Sequence, residues 1–129
     1  MIRLFILALL AATTANAEEN PFVEFKALKP EYSLRMAQVA MEYCQNEGFQ
    51  IGVMVTDRFG IPQVFLRDRY AGVHVFEMTE RKAWTAVTFR TATSELELLT
   101  QAGKELSAIR GLEKAMPVGG GLPVLDGDG

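Results

Sequence analysis

Two short apolar segments of β-strand type, separated by a polar turn that contains a glycine, constrain the fold of this chain more than any other feature. They cover residues 51–56 and 62–67, and the sequence between them at 57–60 is Asp-Arg-Phe-Gly. Apolar runs joined by a turn of this kind pair as an antiparallel hairpin. Because helical patterns flank the hairpin on both sides, we predict an α/β domain of the α+β kind, in which helices cover an antiparallel sheet.

Helices are predicted immediately before and after the hairpin. In residues 30–46 apolar side chains recur every three or four positions and form one stripe, which indicates an amphipathic helix. Thr79 suits the N-cap of a second helix over residues 80–89, and Glu80 suits the positive end of the helix dipole.

The C-terminal third of the chain carries weaker patterns. Thr93 or Ser94 caps a third predicted helix over residues 95–101, and residues 106–115 fit either a short helix or a loop. Residues 122–125 read as a third strand because they are apolar and follow a glycine-rich stretch.

The last four residues, 126–129, read Asp-Gly-Asp-Gly, which is typical of the start of a hairpin turn. A turn has little reason to exist without the strand that it leads to, and three strands make a thin sheet. We therefore expect the chain to be truncated at its C-terminus, with at least one strand missing. A frayed tail is the alternative.

The N-terminus has the three-part layout of a cleavable export signal. Arg3 precedes nine apolar residues at 4–12, and Ala15 and Ala17 supply the small residues of a cleavage site. The apolar run is too short to cross a bilayer, which takes about 20 residues. We predict a signal peptide over residues 1–17, cleaved after Ala17, and a bacterial periplasmic or secreted protein with no membrane anchor after cleavage. An N-terminal element of the fold is the alternative.

The remaining residues, 18–129, suit one domain by their length. The chain has 13 basic and 16 acidic residues and a formal net charge of −3, which does not favour nucleic acid as a partner. The single Cys44 cannot form an internal disulfide, and the single His74 excludes a metal site built from several histidines.

The glycine run Gly119-Gly120-Gly121 is a candidate binding loop. It lacks the Lys-Ser/Thr of a phosphate loop and is followed by Leu-Pro. It therefore reads either as a conformationally permissive loop or as part of a ligand pocket whose backbone amides face a small molecule. No nucleophile, base and orienting residue can be assembled, so no catalytic residue is predicted.

His74 lies among apolar neighbours, and we expect its ring to be partly buried. It is either a structural histidine or a metal ligand. Met36, Met41 and Cys44 fall in the first helix, where core packing is the more common role of such side chains.

Three segments together resemble a known family. Residues 53–60 read Val-Met-Val-Thr-Asp-Arg-Phe-Gly, residues 82–89 read Lys-Ala-Trp-Thr-Ala-Val-Thr-Phe, and residues 119–124 read Gly-Gly-Gly-Leu-Pro-Val. In this order they resemble the GlcG/HbpS-like family, whose members show a Val-Val-Asp-x-x-Gly hairpin, a Lys-Ala-x-Thr-Ala helix and a Gly-Gly-x-Pro-Ile strand. The resemblance covers about residues 33–129.

The resemblance implies a profilin-like α-β-α layered domain with an antiparallel sheet, commonly assembled into homo-oligomers. Some members bind haem and some bind corrinoids. In the family a glycine-rich strand and a last helix follow the Gly-Gly-x-Pro segment, which agrees with the expected truncation. Haem-binding relatives can use a histidine in the first helix, and this first helix has none.

The leading hypothesis is therefore an exported haem- or tetrapyrrole-binding protein, with His74 as the haem iron ligand and haem as the cofactor. A corrinoid is a possible replacement. An enzyme or accessory subunit for a small organic acid such as glycolate is the first alternative, with Arg67, Lys82 and the amides of residues 119–121 around the carboxylate. A structural oligomerisation module without a ligand is the second.

Overall fold

A computed structural model describes residues 20–127 of the chain. The predicted signal peptide lies outside the described residues. The elements in chain order are α1 (Pro30–Asn46), β1 (Gly52–Thr56), β2 (Pro62–Arg67), α2 (Val75–Phe89), α3 (Thr93–Leu99) and a short 3-10 helix (Ser107–Gly111). Among residues 20–127 no helix combines the length and the apolar character that crossing a membrane requires.

The predicted hairpin is confirmed. Strands β1 and β2 pair antiparallel, with Gly52 opposite Arg67. The carboxylate of Asp57 closes the turn by accepting hydrogen bonds from the backbone N–H groups of Phe59 at 2.8 Å and Ile61 at 3.0 Å. Asparagine and aspartate favour turns because their side chains can make such local bonds, so the turn follows from the sequence alone.

Helix α2 covers one face of the hairpin. Val75 lies so close to Gly52 that a Cβ on the glycine would meet its Cγ2 at 2.9 Å. On the same face, the ring of Phe65 in β2 and the ring of Phe76 in α2 pack edge to face, with their centroids 4.9 Å apart. Gly52 and Phe65 therefore face α2. Because successive strand residues point to opposite faces, their neighbours Val53 and Leu66 face the other side of the hairpin.

Helix α1 covers that opposite face. The register between the strands shifts after Val55, which leaves Gln63 as an extra residue in β2. The hydroxyl of Ser33 in α1 donates a hydrogen bond of 2.8 Å to Oε1 of Gln63. Each of the two helices contacts both strands, so the predicted α-β-α layering is confirmed and the fold is α+β.

The buried core is small. Its apolar members are mostly alanines and its polar members mostly threonines; they are Ala37, Ala71, Ala86, Leu96 and Ala115, with Ser33, Asp68, Thr85, Thr93 and Thr100. Because small side chains fill the interior, many large apolar side chains of the described residues stay on the surface.

The start of α2 was predicted wrongly. The helix begins at Val75 rather than at residue 80, and its N-cap residue makes no side-chain cap. Thr79 is inside the helix, where its hydroxyl donates to the carbonyl of Val75 at 2.7 Å. Val75 and Phe76 pack on the hairpin, and this tertiary contact starts the helix before Thr79, the residue that local capping preference favours as its N-cap.

Two predictions further along the chain were also wrong in detail. Helix α3 spans Thr93–Leu99 rather than 95–101, and Thr93 is not its cap. Residues 122–125 form no strand, since the described residues contain a sheet of only β1 and β2. Just before this segment, the backbone of Gly121 is hydrogen-bonded to Thr93 of α3 and not to a strand of the hairpin.

Candidate functional site

The structure brings Lys82 together with the three glycines. The ammonium group of Lys82 donates a hydrogen bond of 2.9 Å to the carbonyl of Gly119. At Gly121 a Cβ would come 2.6 Å from the Lys82 carbonyl oxygen, so only glycine fits there. Gly120 has a φ of +118°, which side chains rarely adopt. The glycine run is therefore required for close approach to α2.

The backbone N–H groups of this loop are bonded within the protein. The Gly119 N–H donates to a carboxylate oxygen of Glu97 at 3.0 Å, and the Gly121 N–H donates to the hydroxyl of Thr93 at 2.8 Å. The Thr93 N–H in turn donates to the Gly121 carbonyl at 2.9 Å. An organic acid would have to displace these side chains before it could use the same amides.

Further side chains fasten the segment of residues 115–121, which we call the C-terminal strap. The hydroxyl of Thr85 accepts a hydrogen bond from the Met116 N–H at 2.8 Å. Arg81 donates to the Ala115 carbonyl at 3.1 Å. Sequence reasoning missed Thr85, Thr93 and Glu97, whose partners lie more than 20 residues away in the chain.

Arg67 and His74 do not join this cluster. Arg67 is exposed at the end of β2, opposite Gly52. His74 is the N-cap residue of α2 and precedes Lys82 by eight residues, a separation of about 12 Å along a helix axis. The His74 side chain is exposed and its ring lies against Gly72, so the expected partial burial is wrong.

A second apolar stripe of α1 forms a groove that the sequence reasoning missed. The groove is open to solvent and has a volume of about 580 Å³. Its walls come from α1 alone and are formed by Arg35, Met36, Val39, Ala40, Tyr43 and Cys44. Tyr32, Met36, Val39 and Tyr43 recur every three or four residues and could have revealed this stripe. The sequence pattern instead indicated a core stripe of Leu34, Ala37, Ala40, Met41 and Cys44. Of these only Ala37 is buried, and Ala40 and Cys44 line the groove.

The groove gathers side chains that suit one kind of ligand. Methionine, cysteine and tyrosine are all known axial ligands of haem iron, and Met36, Tyr43 and Cys44 lie together here. Arg35 adds a cation that can pair with a carboxylate. Among residues 20–127 no group of three histidine, cysteine, aspartate or glutamate side chains could hold a bare metal ion.

Asp68 fixes the end of α1 against the hairpin. Its carboxylate accepts hydrogen bonds from the Ile51 N–H at 3.0 Å and from the side-chain amide of Gln45 in α1. The bond from Ile51, followed by that from Gln45, holds the pKa of the Asp68 carboxyl below its usual value. The last turn of α1, which carries Tyr43 and Cys44, is therefore anchored by a charged group.

The layers and the strap define the chain as a three-layer α+β domain with a glycine loop bound to its second helix. A family model described as haem degrading protein HbpS-like matches residues 28–129. The chain therefore belongs to the HbpS-like family, as the three sequence motifs predicted.

Solved structures agree with this assignment. The chain is similar to a double mutant of HbpS from Streptomyces reticuli, with 28% sequence identity and a TM-score of 0.78 over 91% of this chain and 78% of that one. It is also similar to PduOC, whose structure is a haem complex, with 31% identity and a TM-score of 0.63 over 74% of this chain and 70% of that one.

A longer curated protein contains a related segment. The corrinoid adenosyltransferase PduO of Salmonella typhimurium is 34% identical over 92 residues, which are 67% of this chain and 26% of PduO. The chain thus spans about a quarter of the length of this relative.

Proposed function

We propose that this chain is an exported haem-binding protein that holds the tetrapyrrole in the groove on α1. The observation that carries the proposal is the groove itself, an apolar surface in which Met36, Tyr43 and Cys44 lie beside Arg35. The groove is an open face of a single helix, so it would cover one side of a flat ring. Membership of the HbpS-like family and similarity to the PduOC haem complex support the choice of haem.

The residues of the groove fit the parts of haem. Val39 and Ala40 offer apolar contact for the ring, and Arg35 offers its guanidinium to a propionate. Tyr43 is the residue that would hold the iron, since its side chain is 67% exposed whereas that of Met36 is 37% exposed. When bound, the iron supplies ligand binding and electron-transfer chemistry, and the protein supplies its axial ligand and surroundings.

His74 is the rival ligand. His74 is the N-cap residue of α2, which lies on the face of the sheet opposite α1. Haem bound by His74 and haem bound in the groove would therefore respond to different substitutions. In the organic-acid alternative, the carboxylate of the ligand would be held by Arg67, Lys82 and the glycine run. Because Lys82 and the amides of Gly119 and Gly121 already have partners, we expect glycolate to leave the melting temperature unchanged.

Absorbance titration with haemin tests the proposal. The purified chain should shift the Soret band at micromolar protein, and the matched variants Tyr43→Phe, Met36→Leu, Cys44→Ser and His74→Ala identify the ligand. We expect Tyr43→Phe to change the spectrum and His74→Ala to leave it as in the parent. Loss of the shift in His74→Ala alone would place haem at α2, and no shift in the parent would refute haem binding.

Two comparisons separate haem from the alternatives. Hydroxocobalamin should bind at least about tenfold more weakly than haemin, a difference of about 1.4 kcal/mol, if haem rather than a corrinoid is the ligand. A melting-temperature rise with glycolate and none with haemin would favour the organic-acid alternative.

Export is part of the same proposal. The segment 1–17 would direct the chain to the bacterial periplasm or beyond, where free haem can be captured. Mass spectrometry of the protein recovered from a periplasmic extract should give a chain that begins at Glu18. A chain that begins at Met1 and stays in the cytoplasmic fraction would contradict export.

A further inference from the structure

The glycine run holds a carboxylate that belongs to the chain itself. Oε2 of Glu97 in α3 accepts a hydrogen bond of 3.0 Å from the Gly119 N–H. The side of Gly119 that would carry a Cβ faces the same oxygen at 3.6 Å and the Cβ of Ser94 at 3.7 Å. The end of the Glu97 side chain is a CH2–COO⁻ group, which has the size and the chemistry of acetate. An acetate-sized anion therefore fits between α3 and the glycine run.

Lys82 brings a positive charge to the same loop without pairing with Glu97. Its ammonium group donates to the Gly119 carbonyl at 2.9 Å and lies 3.6 Å from the position of a Cβ on Gly120. Among residues 20–127, neither Lys82 nor Glu97 belongs to an ion pair with an N···O distance of 4.0 Å or less. The attachment of Glu97 to α3 thus keeps its carboxylate out of contact with Lys82.

A free carboxylic acid has no such attachment. One of its oxygens can accept from the Gly119 N–H while the other accepts from Lys82, because an ammonium group has three donors and Lys82 uses one of them for the Gly119 carbonyl. Hydrogen bonds between two charged groups are about twice as strong as those between neutral groups. The loop therefore suits a free monocarboxylate better than it suits Glu97.

We propose that Lys82 and Gly119 form a binding site for small monocarboxylates and that the Glu97 side chain closes it as an internal ligand. Opening takes only a rotation of that side chain, since the Glu97 backbone stays in α3 and its carbonyl accepts from Arg110 at 3.3 Å. The site lies between α2, α3 and the C-terminal strap, away from the groove on α1, and does not depend on haem binding. Its closure agrees with the expectation that glycolate leaves the melting temperature of the parent unchanged.

Hydrogen exchange of the Gly119 N–H, followed by NMR with and without sodium acetate, tests the site. We expect Glu97→Ala to speed this exchange by about tenfold, because the N–H loses its acceptor. Acetate should slow the exchange again as its concentration rises, with sodium chloride keeping the ionic strength constant. Glu97→Gln is the matched control, since its amide oxygen still accepts from the Gly119 N–H and should keep exchange slow with or without acetate.

Removal of the positive charge completes the test. In Glu97→Ala/Lys82→Met, acetate should change the exchange at Gly119 by less than about twofold. Circular dichroism checks the folding of each variant, and Glu97→Ser replaces Glu97→Ala if the latter does not fold. Exchange in Glu97→Ala that ignores acetate, or that responds to it equally in the double variant, overturns the carboxylate site. An equal response to sulfate overturns its selectivity, and a parent that already responds to acetate overturns its closure by Glu97.

Discussion

The Asp68 carboxylate links three segments of the fold through single hydrogen bonds, and its titration is open to measurement. Its pKa is lowered in the folded chain, chiefly by the bond from the Ile51 N–H and next by the bond from Gln45. A carboxyl with a lowered pKa stabilises the fold at pH values above its unfolded pKa. That contribution is lost as the pH falls through the lower, folded pKa.

We therefore expect the chain to lose stability on acidification below about pH 4, and Asp68→Asn to remove part of that loss. Urea midpoints measured between pH 7 and pH 3 for the parent and Asp68→Asn check this. Glu105→Gln is the matched control, since Glu105 is an exposed carboxylate outside the hairpin and α1. An equal pH dependence in the parent and in Asp68→Asn would contradict the assigned role.

Gly121 gives a second test at the level of single residues. A methyl group there would lie 2.6 Å from the Lys82 carbonyl oxygen and 2.9 Å from Cγ2 of Thr93. We expect Gly121→Ala to reduce the free energy of unfolding by about 1–3 kcal/mol, since the backbone must move to admit it.

Gly111→Ala is the control for that substitution, because its Cβ would meet nothing within 4 Å. Its effect should stay within about 0.5 kcal/mol. Chemical denaturation of both variants measures the difference. Equal effects at the two sites would show that the close approach of Gly121 to α2 is not maintained in solution.

Single residues also show where sequence reasoning stops. Of the two predictions for the glycine run, the conformationally permissive loop agrees with the structure, in which Gly120 has a positive φ and Gly121 lies against Lys82. The partners could not be predicted, because Thr93 and Glu97 are 28 and 22 residues from the glycines they bind. Local spacing carries no information about such contacts.

Among the elements, α1 and the hairpin were predictable and the strap was not. The bounds of α1 follow from its periodicity and Pro30, and the turn follows from Asp57 and Gly60. The start of α2 depends on Val75 packing over Gly52, a tertiary contact. Residues 122–125 have strand-like composition, but a strand exists only where a neighbour offers a ladder.

Attachment of the strap to α3 can be tested through Thr93. Thr93→Val keeps the shape of the side chain and removes the hydroxyl that accepts from the Gly121 N–H. We expect a loss of about 1–3 kcal/mol in the free energy of unfolding, because the buried N–H is left without an acceptor. Hydrogen exchange at Gly121 should become faster than in the parent.

Thr93→Ser is the control, since it retains the hydroxyl and should keep slow exchange at Gly121. If Thr93→Val exchanged as slowly as the parent, the strap would be held by its other anchors alone. Exchange at Phe59, in the hairpin turn, should not respond to either substitution, because Asp57 supplies its acceptor.

At the scale of the whole molecule, the α-β-α layering separates the two candidate haem sites. The groove belongs to α1 on one face of the hairpin, and His74 belongs to α2 on the other. The large apolar side chains of the groove lie on the side of α1 away from the buried Ser33 and Ala37. The sequence motifs predicted the family and the layers. The groove could not be predicted in the same way, because its position depends on which side of α1 packs on the sheet.

The most direct test of the central claim is haemin affinity in Val39→Asp and Val73→Asp. The two substitutions introduce the same charge, Val39 within the groove and Val73 beside His74, where it is 88% exposed. Haem in the groove predicts that Val39→Asp weakens binding by about tenfold or more, since a carboxylate would adjoin the apolar ring, and that Val73→Asp binds as the parent does. Weakened binding in Val73→Asp with parental affinity in Val39→Asp would contradict the account.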